Sequence, residues 1–98
     1  MRSPLLVGDT VDLLVERRTV YDHPGYNPAE RTSAKRFVVT AVQPDAYLLK
    51  ATWASGKERI RRTFRMTGWD DPSRMPRLSS RTVGRPIVYY VVNVLAIR

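Results

Sequence analysis

Residues 36–66, RFVVTAVQPDAYLLKATWASGKERIRRTFRM, decide the fold. Three segments within them, 36–42, 47–53 and 58–66, are rich in β-branched and aromatic side chains, which suit a pleated, half-buried surface. Gln43-Pro44-Asp45-Ala46 separates the first two, and Ser55-Gly56-Lys57 the last two; both have tight-turn composition. Strands joined by connections of two to five residues are antiparallel neighbours, so the three segments read as a meander.

Working outward, residues 9–20 alternate Val11, Leu13 and Val15 with Asp12, Leu14 and Glu16, the period of a half-buried strand following a Gly8-Asp9 turn. Residues 87–97, IVYYVVNVLAI, form the last and most apolar strand. Two irregular stretches remain. His23-Pro24-Gly25 and Asn27-Pro28 punctuate residues 21–35, and Gly68, Pro72, Pro76, Gly84 and Pro86 break up residues 67–86. Asn27 as N-cap, Pro28 at the first helical position and Glu30 two residues on give one candidate helical turn; Asp71-Pro72 opens another. The expectation is an all-β (mainly β) single domain over residues 1–98. It would be a small five-stranded antiparallel SH3-like barrel or roll with one or two short helical turns in long loops. A chain of 98 residues buries roughly two-thirds of its unfolded surface, enough for one such core. The opening Gly8-Asp9-Thr10-Val11-Asp12-Leu13 and the five-strand count resemble SH3-like barrels, the group that includes Tudor and KOW domains. The resemblance covers the first strand and implies the barrel alone. The chain lacks the aromatic-cage spacing of Tudor domains and the glycine spacing of KOW motifs, so no functional residue carries across.

Composition narrows the partner. The net charge is +8, from 17 basic and 9 acidic residues, and 14 of the 17 are Arg. Arg presents a planar fork of donors suited to phosphate and carboxylate; GC-rich codon usage accounts for an Arg preference but not for the net charge. There is no cysteine, which excludes disulfides, zinc knuckles and thiol chemistry. A small secreted domain commonly needs such staples, so a cytoplasmic setting is expected. Leu5, Leu6 and Val7 are the only apolar run near the start, too short for a signal-peptide core.

The segment 58–66 carries the sharpest signal. Period-two alternation puts Ile60, Phe64 and Met66 on one face, interrupted by Arg62, and Arg59, Arg61 and Arg65 on the other, with Lys57 leading in. Alternate residues on a strand lie roughly 7 Å apart, close to the phosphate spacing along one nucleic-acid strand. Arg74, Arg77, Arg81 and Arg85 from the long loop would assist, and Tyr47, Trp53 and Trp69 are candidate stacking platforms for unpaired bases. A solvated strand face has the same pattern, since charged residues alternate outward on half-buried strands. The last strand, apolar on both faces, needs cover on both. Its outer face, with Tyr90, Val92 and Val94, is a candidate interface for a homodimer or another protein, unless the chain's own loops fold over it. Eleven residues are too few to span a membrane as a helix, and a lone strand cannot span one either, so no membrane partner is expected.

No catalytic constellation is legible. The single His23 sits beside Asp22 in a Pro-Gly turn, and adjacent side chains rarely converge; the doublet Asp70-Asp71 reads as a turn cap rather than a metal site. The expectation is a non-enzymatic basic binding protein, with no catalytic residue, metal, cofactor or small-molecule substrate. It would bind nucleic acid, DNA or RNA, through an Arg-rich strand face. The alternative is a protein-interaction or assembly module, such as a small phage or mobile-element accessory protein, acting through its apolar C-terminal strand.

Overall fold

The computed structural model describes residues 2–19, 31–55, 58–80 and 87–98. They build β1 (Thr10–Thr19), β2 (Arg31–Val42), β3 (Ala46–Ser55), β4 (Glu58–Thr67), β5 (Arg77–Ser80) and β6 (Ile87–Ile97). The strands form a closed barrel in sequence order, every neighbouring pair antiparallel, with β6 pairing back onto β1. The all-β barrel class expected from the sequence holds, with six strands rather than five. A meander closes on itself with every pair antiparallel only if its strand number is even. The sixth strand is the four-residue β5, which pairs Arg65–Thr67 of β4 on one side and Ile87–Tyr90 of β6 on the other. No helix occurs among the described residues. At Asp71-Pro72 there is instead a tight turn, in which the Arg74 N–H donates to Asp71 O (3.2 Å) and the Asp71 carboxylate accepts from the N–H and hydroxyl of Ser73. The other candidate helical turn, at Asn27–Glu30, lies outside the described residues.

Alternation explains the core. Val11, Leu13 and Val15 of β1, Phe37 and Val39 of β2, Leu49 and Ala51 of β3, Phe64 and Met66 of β4, Leu78 of β5, and Tyr89 and Val91 of β6 point inward and are buried. Phe64 meets Phe37 and Tyr89 edge-to-face, with centroids 5.7 Å apart in both pairs, so every second strand contributes one ring. The lumen is thus a filled core, as small barrels require. Each of the Val, Leu, Phe and Met side chains in it contributes about 1.5–3 kcal/mol by leaving water.

The chain ahead of β1 closes one end. Leu5 enters the core, its N–H donating to the Tyr47 hydroxyl (3.3 Å), and the Trp69 indole N–H donates to Ser3 O (2.8 Å). Arg2 gives its guanidinium to the carbonyls of Trp69, Asp71 and Arg74 and lies 5.7 Å from the Trp69 ring centroid. A turn from Leu6 to Asp9, with Gly8 at φ 94°, then leads into β1. Positive φ at the third turn position is where glycine avoids a Cβ clash.

Two bulges reset the face of β6. Its register against β1 shifts between Leu14 and Val15 and again between Asp12 and Leu13, so Val92 and Leu95 are the extra residues. Each bulge inverts the in–out order that follows it. Val94 therefore packs against the core rather than sharing an outer face with Tyr90 and Val92, as strict alternation had it. Tyr90 is half-buried, while Val92, Leu95 and Ile97 remain exposed.

Candidate nucleic-acid interface

The outer wall across β2–β5 gathers cations whose placement depends on register. Phe64 and Met66 are inward and fully buried, so Arg61, Thr63 and Arg65 face solvent. Arg62, on the inward phase opposite Ala51, is half-buried. Val38 pairs with Lys50, Lys50 with Thr63, and Arg65 with Ser79. Arg36, Lys50, Arg65 and Arg77 therefore lie on one diagonal, each one strand over and two residues nearer the plugged end than the last. Such diagonal neighbours are about 7–8 Å apart.

The diagonal is a belt around the barrel. Pairing steps carry Val42 at the plugged end of β2 to Tyr47, Met66, Leu78, Tyr89 and then Arg17, near the far end of β1. Paths perpendicular to the strands thus climb away from the plug. A level path must step back toward the plug at every strand, as this diagonal does. From β2 to β5 it takes three of the six inter-strand steps of the ring.

Two depressions lie along the belt. One, about 380 Å³, is lined by Arg36, Val38, Thr40 and Lys50. The other, about 610 Å³, is lined by Arg65 and Arg77 with the hydroxyls of Thr63 and Ser79 and the side chains of Leu48 and Val88. Each thus combines two successive cations with hydroxyl groups and an apolar floor, a set that suits a sugar–phosphate backbone.

Acidic groups border the belt rather than interrupt it. Arg65 reaches Asp45 at 3.2 Å, both side chains exposed. Asp12 accepts from Arg36 Nε at 2.7 Å and Nη2 at 3.2 Å, with Arg98 at 3.7 Å. The Arg36 hydrogen bond is the main reason the Asp12 carboxyl sits below its ordinary pKa; the same bond raises that of Arg36. Asp45, Asp70 and Asp71 line a separate hollow against the plug, so the plugged end is flanked by negative charge. Asp71 is held below its usual pKa first by the Ser73 hydroxyl, then by the Ser73 N–H and the charges of Arg74 and Arg2.

The residues singled out in the sequence divide accordingly. Arg61, Arg65 and Arg77 share the outer wall of β4 and β5. Arg74 is exposed but off the belt, paired with Asp71 at 3.5 Å. Lys57 and Arg81 lie outside the described residues, as do the side chains of Arg59 and Trp53. Tyr47 and Trp69 are corrected: 7% and 2% exposed, they are core residues tied to the plug and offer no stacking face. Arg36 and Lys50 carry no such signal in the sequence, because their alignment with Arg65 exists only across strand registers and leaves no trace in any one segment.

No described helix is long and apolar enough to cross a membrane. Compared with known proteins, the chain matches no family model, no curated protein and no solved structure.

Proposed function

We propose that this protein is a non-enzymatic nucleic-acid-binding barrel that grips the sugar–phosphate backbone with little regard to sequence. The observation that carries this reading is the belt itself: exposed cations in diagonal sequence, with hydroxyls between them, along two shallow depressions. Phosphate contacts supply affinity and position but no sequence information. A cysteine-free, strongly basic chain suits the cytoplasm, where nucleic acid is the abundant polyanion. Fluorescence anisotropy with labelled DNA and RNA across a salt series tests it. With about four phosphates neutralised, affinity falls roughly 100-fold between about 50 and 200 mM salt. Arg65→Glu with Arg77→Glu lowers affinity at least 10-fold at low salt while the melting temperature is held. Binding that ignores salt and both reversals rejects the reading.

The exposed Val92, Leu95 and Ile97 on β6 favour a second reading, a protein-interaction or assembly module, as in small phage or mobile-element accessory proteins. In that case Val92→Asp disrupts a complex that salt leaves intact, and the Arg reversals do nothing.

A further inference from the structure

We infer that the ligand of the belt is a flexible single strand of nucleic acid, wound around the barrel with its phosphates inward and its bases outward. The inference rests on the proposed nucleic-acid function and goes on to its substrate class. Arg36 on β2 and Arg77 on β5 are three strands apart in a ring of six, so they stand on opposite walls. A ligand that touches both must turn around a small barrel within a few nucleotides. Duplex DNA stays straight over about 150 base pairs and cannot follow that path; a single strand can. The depressions lie in series along the belt, the first holding Arg36 and Lys50 and the second Arg65 and Arg77. Successive cations about 7–8 Å apart match a strand's repeat, not the paired rows of a duplex.

The aromatic residues determine which side of the strand faces the protein. Phe37, Tyr47, Phe64, Trp69 and Tyr89 are buried, and Tyr90, opposite Arg77 at the end of the belt, is half-buried. The described belt depressions contain no exposed ring on which a base could stack. Among the described belt residues recognition is therefore mainly by charge and hydroxyl groups, with little of the base stacking that usually gives single-strand binders much of their affinity. Binding should be weak at physiological salt, indifferent to base identity, and limited in length by the belt. The path from Arg36 to Arg77 corresponds to about 4–6 nucleotides, the low end of single-strand site sizes.

The test uses the whole protein with labelled oligo-dT and oligo-U of 4, 8 and 16 nucleotides and a 16-base-pair duplex, each across a salt series; the two homopolymers separate DNA from RNA as the source. The expected result is at least 10-fold tighter binding from 4 to 8 nucleotides and no more than about 3-fold from 8 to 16. The duplex binds at least 10-fold more weakly than the 16-mer. The salt slope for the 8-mer is about −2 to −3, as three or four single-strand phosphates require. Arg36→Gln weakens the 8-mer about 3- to 5-fold and makes its salt slope shallower by about 0.7, and weakens the duplex by less. Thermal melting of each variant checks the fold, and Lys50→Gln, an exposed position, serves with the same readouts if loss of the Asp12 pair unsettles Arg36→Gln. A duplex that binds as tightly as the single strand, or an 8-mer that does not sense either variant, overturns the winding while leaving a nucleic-acid-binding protein. Absence of binding to every oligonucleotide overturns the proposed function as well.

Discussion

At the scale of single residues, Leu5 and Leu6 are adjacent, chemically identical and opposite in role. Leu5 is 2% exposed inside the barrel end, and Leu6 is 67% exposed on the turn beyond it. Leu5→Ala removes a packed side chain from a site walled by strands and should cost about 2–4 kcal/mol. Leu6→Ala should change stability by no more than about 0.5 kcal/mol. Urea melts of the two variants check this, and equal losses would mean that the plug is not seated as described. In the sequence, Leu5-Leu6-Val7 is only an apolar run too short for a leader. Nothing in three consecutive apolar residues says which one turns inward, because the choice is made by Tyr47 and Trp69, more than forty residues away. Charge behaves differently. The carboxyls of Asp12 and Asp71 both lie below the usual value of 3.8 because their ionised forms accept hydrogen bonds, from Arg36 and Ser73 respectively. A lowered folded pKa contributes stability that is complete above the unfolded pKa and lost as pH falls through the folded one. The melting temperature should therefore be flat from pH 7 to 5 and decline below about pH 4. Asp12→Asn with Asp71→Asn should start lower at pH 7 and decline less steeply; a decline of unchanged slope would assign the acid sensitivity to other carboxylates.

At the scale of elements, legibility followed the quality of the alternation. β1 and β4 mix apolar and polar residues with period two, and their inward sets are legible in the sequence; β3 has the same period, yet Tyr47 on its inward phase reads equally as a stacking platform. β6 could not be phased. Its eleven residues include one polar side chain, Asn93, so either face could serve as the inner one, and two bulges exchange the faces partway along. β5 is illegible in the sequence for another reason. In RLSS one apolar residue, Leu78, offers no period to detect, and the strand is held by its neighbours β4 and β6 rather than by its own preference. Pro76 immediately before it was the available signal, since proline is tolerated where a strand begins and its carbonyl there accepts from the Val91 N–H (2.8 Å). The belt inherits this difficulty, for its four cations sit on four strands and are brought into line only by pairing. The bulge at Val92 makes the phase of β6 testable beyond it. Val94 packs against the core, whereas Leu95 is 49% exposed. Val94→Thr brings a hydroxyl against the core and should cost about 1 kcal/mol or more, whereas Leu95→Thr should be within about 0.5 kcal/mol of wild type. The reverse order in thermal melts would show strict alternation past Val92.

At the scale of the whole molecule, the same charge that recommends a polyanionic partner works against the folded chain. A net charge of +8 is drawn together when the barrel closes, and the belt residues Lys50, Arg65 and Arg77 are neighbours only in the folded state. Self-repulsion of this kind lowers the stability of the compact form, and added salt screens it over about 10 Å at 0.1 M. Salt should therefore have opposite signs in two measurements on one protein. Between about 20 and 300 mM sodium chloride the melting temperature of the free protein should rise by a few degrees, about 0.5–1 kcal/mol for a domain of this size. Over the same range its affinity for oligonucleotides should fall by more than 100-fold. Arg65→Glu with Arg77→Glu lowers the net charge from +8 to +4, since each reversal removes two units. That variant should melt at or above the wild-type temperature in low salt, despite losing the Arg65–Asp45 contact, and respond less to added salt. A double variant that loses both stability and binding would place these two arginines among the supports of the fold. One that gains stability while losing binding would show that the protein keeps a repulsive belt for the sake of what it holds.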